Sequence, residues 1–372
     1  MSESSTAAAA SAPSVAQEFD ATSARSLESL SLSVGVIAFV VIALVALPVF
    51  RLGEAPITGP GSIGQYVAIS SGAVGFVSFF AGRLVMRGTG GPSRLSVLDY
   101  LDVAMLSLAH GIIALLSWTL IAHLLEAGFI GASVFAVALL VLSGSAAAVT
   151  AYVCFYSATH MDMHLLSIVL AVFLVEGVLA SMLTASDPSW WKDNLSALGM
   201  TDDLSSMAFN VTLIVAGFIV TTLARYATVS IPTPHPHGRL YVRILLIVVG
   251  VFLACVGIFP VNEYFALHNT VATGMAVAFV VLAIGLRWWV PGVPRAFITL
   301  GWVFIAVIVV LAVFFAVGVY TLTAVELVAG ILVFAWIVLF IRNAGALRTD
   351  AAAEASAAQA RPADETAAGV PA

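Results

Sequence analysis

Apolar residues in this chain run in long unbroken blocks separated by short polar stretches. Ten blocks of roughly twenty residues stand out, near 32–50, 65–86, 101–124, 130–156, 163–184, 206–227, 241–259, 268–288, 296–318 and 321–341. Each is long enough to cross a hydrocarbon core of ~30 Å as a helix. The pattern predicts an all-α, polytopic transmembrane bundle of ten spans.

Composition supports this. Hydrophobic residues make up 61% and charged residues 9%, against ~25% charged in an ordinary soluble domain. A soluble chain of 372 residues could not cover its surface with so few charges. Thirteen of the fourteen basic residues are Arg and one is Lys, the usage of a GC-rich bacterial genome. The expected location is therefore a bacterial plasma membrane, multi-pass. Cys154 and Cys255 both fall inside spans and read as buried apolar side chains.

The basic residues also orient the bundle. Threading the chain with its N-terminus inside puts twelve of them in the cytoplasm: Arg25, Arg83, Arg87, Arg94, Arg225, Arg239, Arg243, Arg287, Arg295, Arg342, Arg348 and Arg361. Only Arg51 and Lys192 fall outside. The positive-inside bias selects this threading, with both termini cytoplasmic. Residues 1–30 lack the basic start and short apolar core of a secretory signal, so the first span is expected to stay in the membrane. The division expected along the chain is a disordered tail at 1–30, a four-span segment at 31–160, a six-span segment at 161–343 and a second disordered tail at 344–372.

The loops are short, and three are informative. Residues 87–94, RGTGGPSR, form a cationic turn. Residues 229–243, VSIPTPHPHGRLYVR, favour extended polyproline-like backbone, and their arginines suit anionic headgroups. The longest outer loop holds Trp190 and Trp191, suited to the interfacial belt, and a 195–198 stretch that reads as a short helix stopped at Gly199. Small residues at 143–148, with Ser71, Gly72 and Gly75, read as sites of close helix approach.

An ionisable group inside a bilayer costs ~2.5–3.5 kcal/mol on insertion scales, so each one asks for a reason. His123, Glu176, Asn210, His268 and Glu326 all map to the outer third of the membrane. Together they suggest an outward-facing polar pocket that binds a ligand. His110 sits near the middle of the third span, while Asp99 and Asp102 read as solvated carboxylates at its start. His160 and His164, four apart, have metal-ligand spacing for one helical face but no third ligand. No haem pair, Gly-x-Ser-x-Gly elbow or His-Glu-x-x-His motif occurs. No cofactor, bound metal or catalytic residue is assigned.

Within residues 194–217, NLSALGMTDDLSSMAFNVTLIVAG, a Ser-x-Leu-Gly turn precedes a Phe-Asn pair that opens an apolar helix. VGIFP at 256–260 follows, and then His268 opens the next span. This order resembles the bacterial membrane family called domain of unknown function 998, over roughly residues 163–342. Its layout is also distantly similar to the eukaryotic DRAM-like membrane proteins. By the resemblance, Ser196, Leu198, Gly199, Phe209, Asn210, Gly257, Phe259, Pro260 and His268 fall on the family pattern. The first four spans lie outside it.

Three functions fit these features. The first is binding or translocation of a lipid-like or small amphipathic ligand through the polar pocket, with Glu176 and Glu326 supplying charge. The second is an intramembrane enzyme acting on a lipid or lipid-linked substrate through a His/Glu pair. The third is a structural or regulatory subunit beside a partner membrane protein. Membrane lipids are the expected surroundings, and no nucleic-acid partner is expected.

Overall fold

The computed structural model describes residues 24–88, 97–229, 231, 233–235 and 237–360. Residues 1–23 and 361–372 lie outside this range, as does most of the cationic 87–94 turn. Ten helices are long and apolar enough to cross a membrane, so the protein is a multi-pass membrane protein. They are α1 Ala24–Phe50, α2 Ile63–Gly88, α3 Val97–Gly128, α4 Ala136–Thr159 and α5 Met163–Thr184, then α6 Leu204–Val229, α7 Gly238–Ile258, α8 Phe265–Trp289, α9 Arg295–Ala316 and α10 Leu322–Ala360.

Several boundaries differ from the sequence pattern, and the first is the start of α1 at Ala24, inside the 1–30 stretch expected to be a disordered tail. Helix α3 continues to Gly128, and α4 starts only at Ala136. Between them Gly131 takes a positive φ of 72°, a conformation glycine adopts without steric cost. The chain there forms a two-residue antiparallel ladder, Ala55 opposite Val134 and Pro56 opposite Ser133. Helix α10 runs on to Ala360, into the stretch expected to be a tail. Residues 344–360 are rich in Ala, the best helix former, and extending an existing helix avoids the cost of nucleation.

The chain divides into two compact units, Met1–Val97 with Trp118–His160, and Leu98–Ser117 with Met161–Ala372. The first half of α3 groups with the C-terminal helices.

In the first unit, α1 and α2 pack on α4. Small side chains permit it: Ser143, Ala146 and Ala147 of α4 and Ser71 of α2 are fully enclosed. A Cβ added at Gly82 would lie 2.7 Å from the Cβ of Ala158, and one at Gly144 would strike the Phe39 ring. Polar side chains then join the helices. The Trp118 indole donates to Thr150 Oγ1 at 2.9 Å. Tyr66 donates to the Ile42 carbonyl at 2.7 Å, and Tyr152 to Glu28 at 2.8 Å.

In the second unit, α6 is the central helix. It meets α7 at glycines on both sides. A Cβ at Gly217 would lie 2.4 Å from the Gly250 carbonyl oxygen, and one at Gly250 would lie 2.6 Å from that of Gly217. Between membrane helices, such backbone approach maximises dispersion contact. Around Trp336 of α10, the rings of Phe279, Phe297 and Phe340 gather within 4.9–5.6 Å, tying α8, α9 and α10 together.

The first half of α3 joins this unit through Asp102. Its carboxylate is only 5% exposed. It accepts from Thr222 at 2.8 Å and Tyr226 at 3.4 Å, with Arg225 at 3.5 Å. The expectation of a solvated helix-start carboxylate is corrected here: residues 222, 225 and 226 share one face of α6 and enclose it.

Replacing Gly250 by Val sets branched carbons against the α6 backbone. Overpacking of this kind costs ~1–3 kcal/mol. The expected result is a lower melting temperature in detergent and loss of monodispersity on size-exclusion chromatography. Gly330, which has open space around its Cβ position, should accept Ala without a drop in melting temperature.

Candidate functional site

At one end of the second unit, the connection between α5 and α6 folds back over the helix ends. It contains two short 3-10 turns, Trp190–Lys192 and Leu195–Gly199. The second matches the short helix expected before Gly199, and we call it the strap. Its Leu198 side chain is buried at 2% exposure and anchors it in the apolar interior.

Irregular backbone at the end of an apolar bundle leaves N–H and C=O groups that need partners. Polar side chains from three helices supply them. Glu326 of α10 accepts from the Leu195 N–H at 2.6 Å. Asn210 of α6 donates to the Gly199 carbonyl at 3.1 Å, and Ser206 donates to the same carbonyl at 3.0 Å. Ser205 reaches the Ser181 carbonyl at 2.9 Å, and Ser181 returns a bond to the Ser205 carbonyl at 3.0 Å. Asn262, in the turn before α8, donates to the Met200 carbonyl at 3.3 Å.

His268 of α8 holds the strap through a side chain. Its Nδ1 lies 2.7 Å from the Phe259 carbonyl oxygen, and its Nε2 lies 3.0 Å from Ser196 Oγ. A carbonyl oxygen only accepts, so Nδ1 carries the proton. In the neutral ring Nε2 then accepts from the Ser196 hydroxyl. The ring itself is 4% exposed.

The glycines of this region act through size. Gly199 does not have a positive φ, so the expected left-handed helix stop is not what selects glycine there. A Cβ at Gly199 would lie 2.5 Å from Asn210 Oδ1 and 2.9 Å from the Phe209 ring. One at Gly257 would lie 2.6 Å from the Asn210 carbonyl oxygen. Phe209 is buried at 3% exposure. Pro260 accepts from the Glu263 and Tyr264 N–H groups in the turn that starts α8.

Three of the five residues expected to line a pocket therefore converge: Asn210, His268 and Glu326 all grip the strap. Each of the three bonds to a backbone or side-chain group of the strap. Glu176 is held elsewhere, accepting from Ser117 at 2.8 Å. His123 is exposed in the other unit, its Nδ1 2.8 Å from the Thr119 carbonyl. His160 and His164 do not share a helical face, because α4 stops at Thr159 and α5 starts at Met163. Asp162 between them accepts from the Leu165 N–H at 2.7 Å and caps α5. Among the described residues no three His, Cys, Asp or Glu side chains group for a metal ion.

The start of α6 fixes where the strap ends. Asp203 accepts from the Ser206 N–H at 3.0 Å and from Thr201 Oγ1 at 2.6 Å. Hydrogen bonding by Ser186, Thr201 and the Ser206 amide holds its carboxyl below the usual range, at about 2. A carboxyl lowered on folding adds stability above its ordinary pKa and loses it as pH falls towards the folded value. Melting of wild type minus Asp203→Ala, followed between pH 6 and pH 2, should show a difference of a few degrees that is constant above about pH 4 and shrinks towards pH 2. A difference flat to pH 2 would rule out this cap.

A family model described as "Protein of unknown function (DUF998)" matches residues 165–343. The strap, α6, α8, the Glu326 position on α10 and all nine family-pattern positions lie inside that match. No curated protein matches, and no solved structure matches.

Proposed function

We propose that the protein, whose residues 165–343 match the model of a family of unknown function, binds or translocates a lipid-like or small amphipathic molecule whose entry is controlled by the strap. One observation carries this reading. Glu326, His268 and Asn210, on three different helices, each spend a hydrogen bond on one five-residue turn. The Leu195 amide and the Ser196 hydroxyl present what a ligand's amide or hydroxyl headgroup would present. Displacing the turn would free an acceptor carboxylate, an imidazole and a carboxamide at one point. An apolar contact would fix a loop here without the desolvation cost of buried polar groups. In the orientation expected from the arginines, this end faces outward from a bacterial plasma membrane.

Glu326→Ala together with Ser196→Ala removes two holds on the strap without touching the helix interfaces. Amide hydrogen exchange at residues 195–199 should rise at least several-fold, while Glu326→Gln, which keeps an acceptor oxygen, should leave it near wild type. Native mass spectrometry of gently extracted protein should then show a bound amphiphile whose occupancy differs between wild type and the double variant. Faster exchange with no bound species in either sample would sink the ligand reading and leave a structural membrane subunit, which the satisfied hydrogen bonds of the strap equally suit.

A second reading rests on the Ser196–His268 pair. A serine hydroxyl donating to the Nε2 of a histidine whose Nδ1 is fixed by an acceptor is the arrangement of an activated nucleophile. Ser196 Oγ would attack an ester carbonyl and pass its proton through His268 to the departing alcohol. Water would then release the acyl group. A fluorophosphonate probe should label Ser196 in wild type but not in the His268→Gln variant; no label on Ser196 in wild type would remove the enzymatic reading.

A further inference from the structure

Glu176 lies well inside α5, about 20 Å from its start at Met163 and about 12 Å from its end at Thr184 at the rise of an α-helix. It is the one charged side chain between Leu165 and Thr184. The next residue, Gly177, packs so tightly on α6 that an added Cβ would strike the Thr212 side chain. Beside that contact Glu176 meets the first half of α3, where the Ser117 hydroxyl donates to Oε1 at 2.8 Å. The second carboxyl oxygen, Oε2, is covered by protein and has no hydrogen-bond partner.

No counter-charge stands beside it. Among the described residues no Lys, Arg or His forms an ion pair with Glu176. The stretches of α6 from Ser205 to Thr221 and of α10 from Leu327 to Ile341 carry no titratable side chain. On α3, His110 and His123 lie about 10 Å and about 9 Å from Ser117 along the axis, each with Nδ1 at a carbonyl of its own helix. Asp102 is farther along and is paired with Arg225, and Asp99 and Tyr100 lie beyond it. An ionised carboxylate with one neutral hydrogen bond and no counter-charge is far costlier in hydrocarbon than the neutral acid. Glu176 is therefore a carboxylic acid that carries its proton on Oε2, the oxygen Ser117 leaves open.

A purely structural acid would have both oxygens paired within the protein, as buried polar groups are. Here the proton-bearing oxygen is the one without a partner. We propose that Glu176, with Ser117, is an intramembrane proton-binding site. The Oε2–H bond breaks and re-forms as the proton passes to water and back, and the Ser117 hydroxyl, fixed on Oε1, stabilises the carboxylate left behind. Exchangeable carboxyls at such depth are the groups through which membrane proteins relay protons. The site is separate from the strap and does not rest on the function proposed for it.

The test is infrared difference spectroscopy on the full chain near neutral pH, in a detergent without carbonyl groups, taken as wild type minus Glu176→Gln. Wild type should show the carbonyl stretch of a neutral carboxylic acid that the variant lacks. On transfer to heavy water that band should move to lower frequency as deuterium replaces the proton. Ser117→Ala removes the hydrogen bond to Oε1 and should move the band to higher frequency. That shift assigns the band to Glu176 even should Glu176→Gln fail to fold. Absence of the neutral-acid band in wild type would mean an ionised Glu176 and overturns the proposal. A band that stays in place overnight in heavy water overturns it as well, since the proton is then sealed in and the acid only structural.

Discussion

Backbone hydrogen bonding in an apolar environment is the constraint on which the rest of this structure depends. Inside a helix each N–H and C=O is satisfied by its own segment, which is why the spans are helices at all. Where the chain turns, that supply stops. The strap carries five residues of irregular backbone, and the carboxylate, carboxamide and hydroxyls around it are each accounted for by one of the groups it exposes: Leu195 N–H, Gly199 C=O and Leu198 C=O. His268 extends the same logic, joining the Phe259 carbonyl at the end of α7 to the Ser196 side chain.

This constraint also explains why small residues sit beside polar ones. A hydrogen bond of ordinary length between helix ends requires the backbones to be close. Gly257 lets α7 approach the α6 backbone at Asn210, and Gly199 lets the strap approach the Asn210 carboxamide. Asn210 is therefore held by two glycines, and its position defines where the strap can lie. Adding bulk at either glycine would cost the steric contact and the polar contacts beyond it, so the two contributions are coupled rather than additive.

Much of the fold was legible in the sequence, because ~20-residue apolar blocks admit few alternatives. All ten spans were located by that criterion. The misplaced edges include the start of α1, inside the expected N-terminal tail, and the start of α4 and the end of α10, where local turn chemistry and alanine helix propensity outweigh hydropathy. The candidate site was legible only in part. Expected depth grouped Asn210, His268 and Glu326, which all bond to the strap, yet depth carries no angular information, so His123 and Glu176 were grouped with them. The role of Ser196 as the His268 partner has a trace in the Ser-x-Leu-Gly turn, but nothing in that turn says which helix it meets. Asp102 could have been found from its complement: Thr222, Arg225 and Tyr226 on one face of α6 form a ready cage for a carboxylate.

The two ends of the second unit solve opposite problems with the same helices. At the strap end, Glu326, Asn210 and Ser206 bond to backbone groups of the strap, while Asp187, Lys192, Asp193 and Asp202 of the same connection stay exposed. At the opposite end, the Trp289 indole fills the space left by Gly285 and stands 5.4 Å from the Tyr241 ring. Any motion that opens the strap must act against the Asn210 clasp and the Glu326 and His268 hydrogen bonds, and leaves the α6–α7 glycine contact in place. The strap is accordingly the segment of this unit whose release would change the polar chemistry offered to a ligand without unpacking the bundle.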